Sequence, residues 1–215
     1  DLRFGGGIVS LQVYMISLLA LAAIVYVYRS IFHGSFHKYY EYIIKRVVDR
    51  GNGIYDLELA AKDRKMNFKP GQFAFIKLQT EGVLAQVHPF SMSSAPGEQL
   101  LSFGIKDLGD YTRLLGEAKA GTAVKVDGPY GTFSNKILIN KRQVWIAGGI
   151  GITPFLAMAK DLDATQQVDL YYSTKTADEA VYLHTLKELS SKKPNLRVIA
   201  FDAEKQGFMT IDYVL

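Results

Sequence analysis

Val144-Trp145-Ile146-Ala147-Gly148-Gly149-Ile150-Gly151-Ile152-Thr153-Pro154-Phe155 is the segment with the clearest chemical meaning. An apolar run ends in glycines, and Pro154 stands where a helix would make its first turn. Glycines between a buried strand and a helix let the backbone approach a diphosphate, whose charge the helix start favours. The spacing is not GxGxxG, so that dinucleotide-binding subtype is disfavoured. The competing reading is that Gly148, Gly149 and Gly151 only let strand and helix pack tightly.

His88-Pro89-Phe90-Ser91-Met92-Ser93-Ser94-Ala95-Pro96 is the second segment. An aromatic two residues beyond a histidine lies on the same strand face, and small hydroxyls follow. Such a set could hold a flavin: Phe90 over the ring, Ser91 at its edge near N5, and His88 toward the phosphates. Equally, the segment could be a strand running into a Ser/Pro turn. Ile105-Lys106-Asp107-Leu108-Gly109-Asp110-Tyr111-Thr112 pairs a strand-end cation with a helix start, which with the Thr112 hydroxyl would suit a pyrophosphate. A surface helix capped by Asp110 explains it as well. Gly128-Pro129-Tyr130-Gly131-Thr132-Phe133 reads either as part of the same cleft or as a tight turn between domains.

The elements that must carry these segments follow from hydropathy. Ile8–Tyr28 has no charged residue and is long enough to span a bilayer core of about 30 Å. Tyr26 and Tyr28 stand at its end, and Arg29, Lys38, Lys45, Arg46 and Arg50 follow, which orients the remainder to the cytoplasm. A secretory signal would carry its basic residues on the other side. His33 and His37 are spaced as a ligand pair on a helix but read as juxtamembrane, and His184 reads as structural in an amphipathic helix.

Beyond the span, strands are expected at 39–48, 54–60, 73–78, 90–93, 101–106 and 123–126, with a hairpin turn at 49–53 and a helix at 110–118. Six short strands and one helix suit a small closed antiparallel barrel. Strands at 143–147, 168–172 and 196–201 then alternate with helices at 154–162 and 178–190, the pattern of a parallel doubly wound sheet. The expected organisation is a transmembrane helix and linker (1–38), a six-stranded antiparallel β-barrel (39–139) and a C-terminally incomplete α/β nucleotide-binding domain (140–215).

Composition narrows the chemistry. With 25 Lys+Arg against 21 Asp+Glu, the net charge of +4 is too mild to argue for nucleic acid. The absence of Cys excludes disulfides, thiol catalysis and Cys-held zinc or iron–sulfur centres within these 215 residues. No metal ligand set is assigned.

HPFSMSSAP, IKDLGDYTRLL, GPYGTF and AGGIGITPF, in this order after a membrane span, resemble the ferredoxin–NADP reductase superfamily. Within it they are most similar to the membrane-bound NADPH oxidase and ferric reductase family. The resemblance implies FAD contacts at His88, Pro89, Phe90, Ser91 and Ser93, diphosphate contacts at Ile105, Lys106 and Thr112, and the same cleft at Gly128, Tyr130 and Gly131. It implies an NADPH loop at Gly148, Gly149, Gly151 and Thr153, with Ser173 and Lys175 at the 2′-phosphate; a solvated loop is the alternative for those two. No nucleophile or general base is required, and Ser91 is the candidate for direct contact near N5.

The family's haem-bearing helices, its later Cys-Gly-Pro segment and its terminal aromatic have no counterpart before Leu215. The expectation is therefore a fragment partnered by NADPH, a plasma or inner membrane bilayer and a haem-bearing transmembrane portion. It would pass electrons from NADPH through FAD to oxygen, giving superoxide. The alternatives are a ferric-chelate reductase, a reductase serving a separate iron–sulfur partner, or a non-catalytic membrane-tethered scaffold.

Overall fold

Asn52 and Gly53 reverse the chain between β1 (Tyr40–Gly51) and β2 (Ile54–Ala61). Both have positive φ, 52° and 67°, and Gly51 pairs with Ile54, so this is a two-residue loop whose twist matches its strands. β3 (Phe73–Leu78), β4 (His88–Ser91), β5 (Leu101–Lys106) and β6 (Ala123–Tyr130) complete one antiparallel sheet in the order β4-β3-β6-β1-β2-β5. The computed structural model describes residues 5–28, 39–79 and 87–214. His33 and His37 lie outside them.

The sheet curls but does not close. Among the described residues, its edge strands β4 and β5 are joined just past Ser91, where Met92 bridges Phe103, the Ser93 N–H donates to the Ser102 carbonyl at 2.8 Å and the Ser102 N–H donates to the Ser94 hydroxyl oxygen at 3.0 Å. The expected closed barrel is therefore a half-barrel. The reason lies in β4, which has 4 residues and includes Pro89, a residue with no N–H to offer a neighbouring strand. Paired strand β4 also starts earlier than expected, at His88, and ends at Ser91 rather than Ser93.

Leu57, Leu59, Ala74, Ile76, Phe103, Ile105, Val124 and Val126 fill the interior of the half-barrel. α1 is Gly5–Val27, and α2 (Asp110–Gly116) adds Leu115 and Tyr111 to the barrel core, the latter donating its hydroxyl to the Ile76 carbonyl at 2.7 Å. α2 ends two residues before the expected Ala118. β6 outruns its expected end: Phe73 faces Tyr130 and Phe75 faces Asp127, so a bulge absorbs Pro129 and makes 128–130 strand rather than turn.

The second sheet is parallel, β7 (Arg142–Gly148), β8 (Gln167–Thr174) and β9 (Leu196–Asp202), in that order. Gly148, Ser173 and Phe201 are paired in register, so the three strands end level. α3 (Thr153–Lys160) and α4 (Leu183–Lys192) pack Leu156, Met158 and Leu186 onto Trp145, Leu170 and Tyr172. The expected helix at 178–190 is split into a 3-10 turn, Ala177–Glu179, and α4, on which His184 is exposed. α5 (Ala203–Gln206) and α6 (Ile211–Val214) were not anticipated.

The chain falls into two compact units, Asp1–Lys38 and Tyr39–Leu215. In the first, α1 is apolar on every side, and its side chains from Val9 to Tyr28 are exposed. Ser17 returns its hydroxyl to the Val13 carbonyl at 2.8 Å, which satisfies it within the helix. By length and composition α1 is capable of crossing a membrane.

Gly71 leads into β3 with φ 95°, and a Cβ there would collide with the Phe133 carbonyl oxygen. Gly71→Ala is expected to cost at least about 1–3 kcal/mol of unfolding free energy, read by urea denaturation. Gly97→Ala, where a Cβ meets nothing within 4 Å, should be close to neutral.

Candidate functional site

The unclosed seam between β4 and β5 opens into a cleft of about 300 Å³. Pro89, Phe90 and Ser91 form one wall, Ile105, Lys106, Leu108 and Thr112 another, and Ile150, Gly151, Thr153 and Pro154 close it from the parallel sheet. Three of the segments singled out in the sequence thus converge on one space. Its volume is at the lower end for small-molecule sites, enough for a ring system rather than a whole dinucleotide.

Each wall is held by its own local chemistry. Phe90 pairs opposite Ala74 and packs against the barrel core. His88, paired opposite Ile76, does not line the cleft; its ring stacks on Tyr111 at 4.3 Å between centroids. Ser91 and Lys106 are half-buried at the cleft and have no polar side-chain partner among the described residues. Ile105 keeps its side chain in the barrel core.

Thr112 is more committed. Its hydroxyl oxygen accepts from the Leu108 and Gly109 N–H groups at 2.9 and 3.0 Å, which fixes the 107–112 turn that presents Lys106. Tyr55 donates to the Thr112 carbonyl, and burial pushes the Tyr55 hydroxyl well above its ordinary pKa. Burial likewise pushes Tyr111 up to about 12. Both phenols therefore remain donors under physiological conditions.

The remaining candidates sit around this space. Ser93 is buried beside the Met92–Phe103 bridge. Tyr130 packs on Phe73 and Phe75 at 5.9 and 5.5 Å and donates to Asp127 at 2.7 Å; burial first, then Asp127, raises its pKa to about 12. Gly131 accepts from Gln72 Nε2 at 2.8 Å, and neither Tyr130, Gly131 nor Gly128 lines the cleft. Ser173 is half-buried, level with Gly148 at the sheet's C-terminal edge, and Lys175 is exposed just beyond it. That edge is where open α/β sheets receive ligands.

The glycine loop distinguishes between its two readings. A Cβ on Gly148, Gly149 or Gly151 would meet nothing within 4 Å. Tight packing within the chain therefore does not account for these glycines, and the backbone faces open space that a ligand could enter. Gly104 behaves oppositely: it lines the cleft, and a Cβ there would meet Tyr182 and Thr153. The sequence reading passed over it, although a glycine inside the apolar strand Leu101–Lys106 was the available signal. A larger groove of about 870 Å³ along the free edge of β7 is lined by Ile137, Leu138, Val144 and Ile146 and contains neither Ser91 nor Lys106.

A ring-sized seam beside a lysine with no polar partner among the described residues, facing a glycine loop at the end of a parallel sheet, has the chemistry to receive a flavin and a nicotinamide dinucleotide. Residues 45–134 match the FAD-binding domain family and residues 145–213 the oxidoreductase NAD-binding domain family. The chain is 35% identical over 133 residues to human NADPH oxidase 3, covering 57% of this chain and 23% of that protein. It is 33% identical over 115 residues to Arabidopsis thaliana ferric reduction oxidase 2, covering 50% of this chain and 16% of the relative. The flavohem-like FAD/NAD binding domain of Vibrio cholerae nitric oxide dioxygenase has the same fold, with TM-score 0.72, 18% identity and coverage of 82% of this chain and 81% of that one. The chain belongs to the ferric reductase and NADPH oxidase group of the ferredoxin–NADP reductase superfamily. It spans less than a quarter of the length of the two curated relatives compared.

Gly151→Ala separates ligand approach from packing. Its melting temperature should stay unchanged because the new methyl group meets no protein atom. Affinity for NADP+, measured by calorimetry, should fall by roughly tenfold or more, about 1.4 kcal/mol. Unchanged affinity would place the ligand elsewhere.

Proposed function

We propose that this chain is the dehydrogenase portion of a membrane-bound oxidoreductase that takes electrons from NADPH through FAD. They would pass to a haem held by another part of the protein and then to molecular oxygen, giving superoxide. The observation that carries this reading is the convergence of Phe90, Ser91, Lys106 and, from the glycine loop, Ile150, Gly151 and Thr153 on the β4–β5 seam. When bound, FAD supplies the conversion between a two-electron donor and one-electron acceptors.

The residues divide the work by chemical type. Phe90 covers one face of the ring, and Ser91 offers a hydroxyl at the ring edge near N5. Lys106 neutralises diphosphate charge, with Thr112 holding the turn and His88 braced by Tyr111 toward the phosphates. Ser93, Gly128, Tyr130 and Gly131 support the surrounding wall. Gly148, Gly149, Gly151 and Thr153 let the nicotinamide dinucleotide approach the backbone. Ser173 and Lys175 meet its 2′-phosphate with a hydroxyl and a cation. α1 anchors the protein in a plasma or inner membrane, and the basic residues after Tyr28 favour a cytoplasmic dehydrogenase. A ferric acceptor is the second reading, favoured by the similarity to ferric reduction oxidase 2.

Phe90→Ala should lower the FAD retained after gel filtration by at least about tenfold, read from flavin absorbance, while exposed Lys187→Ala retains it fully. Colourless wild-type protein that takes up no added FAD would support the scaffold alternative instead. Lys175→Ala should raise KM for NADPH by roughly tenfold and leave KM for NADH nearly unchanged. A parallel loss for both nucleotides would remove Lys175 from the 2′-phosphate.

A further inference from the structure

Directly behind the cleft, a buried polar contact joins the half-barrel to the parallel-sheet region. Asp56 on β2 pairs across the sheet with Gly104 on β5, and residues directly opposite each other share a face. The absent side chain at Gly104 leaves a slot, and Tyr182, at the start of α4, reaches through it. The Tyr182 hydroxyl donates to Asp56 Oδ1 at 2.6 Å. The other carboxylate oxygen accepts from Arg50, with Nη2 at 2.6 Å and Nε at 2.7 Å. Tyr182 is 3% exposed and Asp56 6%. Burial, and next the Asp56 charge, raise the Tyr182 pKa, which keeps the hydroxyl a donor.

The contact touches the cleft from behind. The Cβ position of Gly104 is 2.6 Å from Thr153 Cγ2 and also meets the Tyr182 hydroxyl. Gly104 and Thr153 both line the cleft, from opposite sides of the junction. Thr153 in turn donates its hydroxyl to the Ile150 carbonyl at 3.2 Å, tying it to the glycine loop. A second polar tie enters from the β1–β2 turn, where Asn52 Nδ2 donates to the Asp178 carbonyl at 2.6 Å, four residues before Tyr182.

Apolar surfaces tolerate small slides, because burial is non-directional. A charge-assisted hydrogen bond does not, since it loses strength steeply with distance and angle. Ile54, on β2 but packed in the sheet-side core, gives this junction its apolar area. Asp56 and Tyr182 give it a single register.

We infer that Arg50, Asp56 and Tyr182, acting through the slot at Gly104, form a strut that sets the spacing between the flavin wall and the glycine loop. This inference rests on the proposed function. Tyr182 is a positioning residue in it: the hydroxyl touches no reacting atom and acts through Thr153 and β5. A misplacement of the order of 1 Å between donor and acceptor rings costs about a hundredfold in rate, so a strut of this kind governs turnover more than affinity.

The test uses the full chain loaded with FAD, comparing wild type with Tyr182→Phe and Asp56→Asn. Tyr182→Phe keeps the ring and leaves Asp56 paired with Arg50. It should retain FAD and bind NADP+ within about twofold of wild type. The perturbation of the flavin absorption spectrum on NADP+ addition should shrink. Anaerobic flavin reduction at saturating NADPH should slow by roughly ten- to a hundredfold, with KM little changed. Asp56→Asn keeps one acceptor oxygen for the hydroxyl but loses the charge that holds Arg50, so its spectral perturbation and rate should fall between those of wild type and Tyr182→Phe. A Tyr182→Phe protein with the wild-type spectrum and rate overturns the strut alone. So does a rate loss that merely tracks lost FAD or a lowered melting temperature. Wild-type protein that takes up no FAD overturns the site itself and the strut with it.

Discussion

A six-stranded antiparallel sheet of this curvature normally has reason to close, because an open edge leaves backbone donors and acceptors without partners. Here β4 has 4 residues with Pro89 among them, and its continuation touches β5 at Met92–Phe103 and at Ser102, which bonds Ser93 and Ser94. The seam that remains provides the site. Phe90 and Lys106 stand on the walls of its cleft, and Gly104 on β5 leaves the space that Tyr182 and Thr153 occupy. Closing the barrel along its length would remove both the cleft and the place where the two halves meet.

The cost of the open seam is offset by other parts of the molecule. Met92, Phe103, Leu57 and Leu59 are sealed below it in one core, each worth about 1.5–3 kcal/mol when fully buried. α2 covers the barrel end, with Tyr55 and Tyr111 both hydrogen-bonded to backbone carbonyls. The parallel sheet has a core of its own around Leu170 and Tyr172. Stability therefore resides in two apolar cores, and directional contacts such as Tyr182–Asp56 and Lys160–Glu98 run between them.

Most of the architecture was legible because it is written locally. Alternation in β3, the Asn52-Gly53 turn and the switch to strand–helix alternation after 140 are short-range signals. The segments around Phe90, Lys106 and Gly151 were found for the same reason, since each carries its residue types within a few positions. What escaped was long-range or depended on backbone pairing. Tyr182 meets Asp56 across 126 residues, and no local pattern announces that contact. The extension of β6 through Pro129 depends on a bulge opposite Ala74, which is a property of the pair of strands. The early end of α2 and the division of the 178–190 segment are boundary effects, set by which end groups find partners.

The glycines show how structure adds to sequence even where the motif was recognised. In sequence, Gly104 looks like a weak spot in a strand and Gly148-Gly149-Ile150-Gly151 like a phosphate loop, yet each could have served packing. The structure separates them by what would surround a Cβ. At Gly104 the space is already taken by Tyr182 and Thr153, so that glycine belongs to the protein's own architecture. At Gly148, Gly149 and Gly151 the space is empty at the end of a parallel sheet, level with Ser173. Glycine carries an entropic penalty in any ordered segment, and at Gly148 and Gly151 neither a positive φ nor a neighbouring protein atom accounts for it. That open space is what the proposed approach of a ligand to the backbone requires. One class of glycine makes room for neighbouring side chains, and the other faces open space.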